Sequence, residues 1–178
     1  MSLENPPYLI VAFDKVLTWI SFICGGITMA FMTGYSTLNV LVMRKALNAP
    51  IVGAEDLLIL SLVIVVAFSV PLGARAGSHI EIEVLEARMS EAFAKWSMII
   101  VKVAGIILLA IMAQQLVHAG QNAVRFGETT KQLLISYEPF YYLLAASVGC
   151  YALVLAMDIW QLILGNKTVT LKISKPNL

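Results

Sequence analysis

The chain has few of the side chains that do chemistry in water. Charged residues are only 13% of its 178 positions, and histidine and cysteine occur twice each. The two histidines, His79 and His118, fall near opposite ends of apolar runs, which excludes the paired axial ligands of a transmembrane haem. Cys24 and Cys150 each lie inside an apolar run, where a thiol behaves as a small hydrophobe, so neither a redox nor a metal role is expected. The first long apolar run holds no carboxylate and Asp158 stands towards the end of the last, so no acid relay of a small proton-coupled exporter is visible. No Ser/His/Asp or Cys/His constellation, phosphate-cradling loop or metal-ligand spacing occurs, and no enzyme is read here. The net charge is +1 and the 12 basic residues are scattered at loop edges, so no nucleic-acid partner is expected.

What is present is apolar length. Hydrophobic residues make up 60% of the chain and mean hydropathy is +0.85, beyond the usual soluble range and in keeping with an integral membrane protein. Spans are expected at about 16–43, 57–74, 96–118 and 139–164. Together they form a single membrane domain over 1–178, an all-α fold with four transmembrane helices. Residues 1–14 carry no Lys or Arg, and the first apolar run is too long for a signal-peptide core, so it is expected to stay uncleaved. Gly26, Ala30 and Gly34 recur every fourth residue, as a close-packing seam would require or as the general abundance of glycine in membrane helices would produce. Ala145, Gly149, Ala152 and Ala156 form a second small-residue seam. Pro71 should distort the last turn of the second span, and Pro139 suits the start of the fourth. Lys102 sits within two turns of the start of the third span, and snorkelling to the interface is the expected role.

Between the second and third spans the composition changes. Ser78 and Glu81 have capping-box spacing, and Ile82, Leu85, Met89, Ala92, Phe93 and Trp96 recur at helical offsets while charges lie mostly elsewhere. An amphipathic in-plane helix over about 79–95 is expected, too charged to cross. With four spans, both termini share a side with this helix. That side holds Lys15, Arg75, Arg88, Lys95, Lys102, Lys167, Lys172 and Lys175, against Arg44, Lys45, Arg125 and Lys131 on the other. The excess places both termini in the cytoplasm.

Three short stretches, in order, resemble the small membrane subunit of tripartite ATP-independent periplasmic (TRAP) transporters, the DctQ-like family. They are Glu55-Asp56-Leu57 at the opening of the second span, Arg75-Ala76-Gly77-Ser78-His79-Ile80 at its end, and Gly127-Glu128-Thr129-Thr130 with Leu133 before the fourth. Ser136 stands where many relatives have proline, which is delayed to Pro139.

The resemblance implies a multi-pass protein of the bacterial inner membrane. It would be a scaffold bracing a large DctM-like membrane subunit for sodium-coupled uptake of an organic acid, such as a dicarboxylate or sialic acid, delivered by a periplasmic substrate-binding protein. No cofactor is expected in this subunit, with sodium at the large one. Arg75, His79, Arg88 and Lys95 are candidate cytoplasmic contacts to lipid or to the large subunit, with local helix capping as their other reading. Glu55, Glu128 and Thr129 are candidate periplasmic contacts, or simply helix caps. A membrane anchor for an unrelated enzyme complex is the alternative reading.

Overall fold

The computed structural model describes residues 8–75 and 91–163. The expected in-plane helix over 79–95 therefore lies largely outside the described residues, as do His79 and Arg88. Residues 91–95 are described and form the first turns of the third spanning helix.

All regular structure among the described residues is helical, in four antiparallel spans. The first combines α1 (Tyr8–Ile20), π-wound turns at Ser21–Gly25, α2 (Gly26–Thr37) and further π-wound turns at Leu38–Ala46. The second is α3 (Ala54–Arg75), the third α4 (Glu91–Phe126) and the fourth α5 (Glu138–Ile163). The helices pack in the spatial order first, second, fourth, third, with α5 lying against both α3 and α4. At one end, the loop end, lie the connections after the first and third spans. The opposite, terminal end holds the described helix ends at Tyr8, Arg75, Glu91 and Ile163.

The buried core is made of small and medium residues: Ala54, Leu60, Ala67, Leu109, Ala123, Ala145, Val148 and Val154. Small side chains let helix backbones approach where lipid offers no hydrophobic drive for association. α4 and α5 approach closely at Gly120, where an added Cβ would stand 2.9 Å from the Tyr142 ring and 3.3 Å from Tyr141 Cβ. This packing also explains why the third helix outruns the expected 96–118. Ala123, one turn past Gly120, is 1% exposed, so burial against α5 carries the helix to Phe126 despite the polar side chains of this stretch. A Schellman motif then ends it. Gly127 takes φ +65, Glu128 N donates to Ala123 O at 2.8 Å, and Gly127 N donates to Val124 O at 3.3 Å.

Pro71 lies inside α3, which continues to Arg75. Having no N–H, Pro71 leaves the carbonyl four residues back, at Ala67, without its helical donor. Ser147 of α5 fills that role: its hydroxyl donates to Ala67 O at 2.5 Å, with Ser147 and Ala67 both buried. A backbone defect that the sequence builds into one helix thus becomes a polar bond to its neighbour.

This bond generates a prediction. Ser147→Ala should destabilise the chain by about 1–2 kcal/mol, because it strands a buried carbonyl. In a Pro71→Ala background, where residue 71 regains its N–H, the same substitution should cost clearly less. A double-mutant cycle on thermal unfolding in detergent measures the coupling, and equal costs in both backgrounds would contradict it.

Candidate functional site: a polar clasp and an interhelical ion pair

At the loop end, the connection between the first and second spans meets the connection between the third and fourth. Asp56, in the first turn of α3, is 6% exposed. Its Oδ2 accepts from the backbone N–H of Gln132 at 2.8 Å and of Leu133 at 2.9 Å. The buried Thr130 hydroxyl accepts from Ile135 N at 3.1 Å. A carboxylate at a helix N-terminus also opposes the positive end of the helix dipole. The side chain of Gln132 returns the contact, its Oε1 accepting from Gly53 N. Gly53 takes φ +79, and a Cβ there would run into the Leu133 side chain, so the clasp requires glycine twice over.

The clasped loop is a compact turn. Thr130 N donates to Ile135 O at 2.9 Å, Thr129 bridges Ser136 in antiparallel fashion, and Leu134 at its tip takes φ +55 and is 71% exposed. Ser136 Oγ accepts from Glu138 N at 3.3 Å, capping the start of α5. On the first span, buried Asn39 holds the other loop, its Oδ1 accepting from Ile51 N at 3.1 Å.

The sequence-derived candidates occupy varied positions around this clasp. Glu55 is exposed and pairs with Arg44 at 3.6 Å across the first loop, an exposed pair of little energetic weight. Glu128 and Thr129 are exposed on the second loop, so all three acidic-motif candidates lie at the same end of the molecule. At the terminal end, Arg75 and Lys95 stand on helices whose side chains there lie outside the description. Gly26, Ala30 and Gly34 face outward, and an added Cβ at Gly26 or Gly34 would meet nothing within 4 Å. Of the second seam, Ala145 is buried, Gly149 and Ala152 are half-buried and Ala156 is exposed. Cys24 and Cys150 are both free, half-buried thiols.

The other polar feature lies between α4 and α5. Lys102 Nζ donates to Asp158 Oδ2 at 2.9 Å, and each side chain is 13% exposed. Helical side chains tilt towards their own N-terminus. Lys102 therefore reaches outward from α4 while Asp158 leans inward from antiparallel α5, and they meet between. The expected snorkelling has the right direction, but the ammonium ends on a carboxylate instead of in the interface. The signal was present in the sequence: Lys102 lies six residues inside Trp96 and Asp158 two inside Trp160, so two isolated opposite charges stand at the same end of antiparallel helices.

Both polar features join helices to one another, and no cluster that could hold a metal ion occurs among the described residues. The class defined by this fold is a multi-pass helical membrane protein whose polar groups serve helix assembly. Residues 32–165, three quarters of the chain, match the family described as tripartite ATP-independent periplasmic transporters, DctQ component, and the chain belongs to that family. No match is found among curated proteins or solved structures.

Two outcomes test the site. Asp56→Ala should lower stability by about 1–3 kcal/mol by stranding the Gln132 and Leu133 amides, while Asp56→Asn, which keeps one acceptor, should cost less. Protease accessibility of the 127–137 loop reports the same order. For the ion pair, Lys102→Met or Asp158→Leu alone should cost about 3–5 kcal/mol, because each breaks a largely buried pair by removing one member. The double substitution should recover most of that loss in thermal unfolding.

Proposed function

We propose that this chain, the small membrane component of a TRAP transporter, works as a scaffold that braces the large membrane subunit during sodium-coupled, binding-protein-dependent uptake of an organic acid such as a dicarboxylate or sialic acid. The observation that carries the reading is the use of its polar groups. Asp56, Gln132, Asn39, Ser147, Lys102 and Asp158 are each engaged in tying helices or loops together. A carrier of polar solutes uses broken helices and polar groups that line a path, whereas a brace needs internal ties and apolar outer faces. The first and third spans supply such faces, with Phe22, Ile27, Met29, Leu41, Ile100, Ile107, Leu108 and Ile111 among the exposed side chains.

In this reading the large subunit carries the substrate and sodium sites and lies against one of these outer faces, with both termini of the small subunit in the cytoplasm. Glu55, Glu128 and Thr129 would then face the periplasm, where the binding protein approaches. The test is reconstitution. Vesicles holding the small and large subunits together, supplied with the binding protein and a sodium gradient, should take up the organic acid. Vesicles holding this chain alone should show no uptake above that of empty vesicles, and transport by the chain alone would overturn the scaffold role.

A further inference from the structure

The chain has three tryptophans, and all of them stand at the terminal end. Trp19 is on α1, Trp96 near the start of α4 and Trp160 near the end of α5, and they are 62%, 66% and 65% exposed. Fold burial therefore does not account for them. Antiparallel packing brings the indoles to one end even though they are far apart in sequence. Lys15 is exposed one helical turn outside Trp19 on the same face, while the neighbouring Val16, Ile20, Ile100 and Ile163 are exposed and apolar.

The lengths beneath this level match a bilayer. From Trp160 back to Tyr141 is 19 residues of α5, about 29 Å at 1.5 Å per residue, and from Trp96 to His118 is 22 residues of α4, about 33 Å. From Asp56 to Arg75 on α3 is again about 29 Å. A hydrocarbon core is about 30 Å thick. The far boundary carries Tyr137, Tyr141 and Tyr142 together with the polar clasp, so the apolar stretch is bounded by amphipathic aromatic side chains at both ends.

We propose that Trp19, Trp96 and Trp160, with Lys15 outside them, form a lipid-binding girdle that sets the height of the chain at one headgroup–hydrocarbon boundary. The occupant is phospholipid. An indole has an apolar body for the acyl chains and an N–H for the ester and headgroup zone, and the Lys15 ammonium suits lipid phosphate. The girdle also fixes the depth of the ion pair. Lys102 and Asp158 meet just inside the boundary, where hydration has fallen and the attraction between the two charges is stronger.

Intrinsic fluorescence tests this directly, because no other tryptophan contributes. Three single-tryptophan chains, each with the other two changed to phenylalanine, are reconstituted in phosphatidylcholine vesicles brominated either near the headgroup or near the acyl methyl end. Wild type is measured alongside, so that the result stands if one variant fails to fold. Each indole should be quenched about twofold more by the shallow label than by the deep one, and only weakly by aqueous iodide. Stronger quenching by the deep label, or iodide quenching without lipid quenching, at any of the three would overturn the common level. The outcome does not depend on transport, so it can fail while the scaffold reading stands, and the reverse.

Discussion

Inside a bilayer a backbone or side-chain polar group has no water to turn to, so each must find its partner within the protein. Most of this structure can be derived from that constraint. Pro71 removes a donor from α3, and α5 supplies Ser147 in its place. Lys102 brings a charge into α4, and α5 supplies Asp158. The fourth helix is thus the hub in polar as well as apolar terms: it packs on both neighbours and corrects a polar deficit in each.

The loop end follows the same logic with different means. Here the backbone leaves the helices, and free amides must be satisfied near the edge of the apolar layer. Asp56 collects two of them on one oxygen, Gln132 answers a third at Gly53, and Asn39 takes a fourth at Ile51. The Glu-Asp-Leu stretch and the Gly-Glu-Thr-Thr stretch, distant in sequence, are therefore two halves of one device. Their side chains divide the work: Asp56 and Thr130 turn inward as ties, while Glu55, Glu128 and Thr129 remain exposed at the surface. Such a division suits a component whose inside must stay rigid while its outside meets other TRAP components.

The first span is bound differently. Its helix contains two π-wound stretches and packs mainly on α3. Its small residues Gly26, Ala30 and Gly34 lie on its outer surface, whereas Gly120 of α4 stands close against α5. Spacing every fourth residue identifies a helix face able to pack closely, but it carries no information on whether the partner is inside the chain or outside it. That choice depends on which neighbours the other helices have already taken.

Hydropathy and length alone determined the all-α class and the four apolar spans, because a hydrocarbon core of about 30 Å is crossed by a helix of about twenty apolar residues. Three short motifs were enough to indicate the family. Tertiary structure decided what local reading could not: that α4 runs on to Phe126, that Asp56 is the inward member of its acidic pair, that Lys102 ends on a carboxylate, and that Ser147 repairs the defect at Pro71. Each of these depends on a partner 56 to 80 residues away or on burial against another helix. The sequence showed that Lys102 and the carbonyl vacated by Pro71 needed partners in lipid, and only the packed bundle determined that these are Asp158 and Ser147.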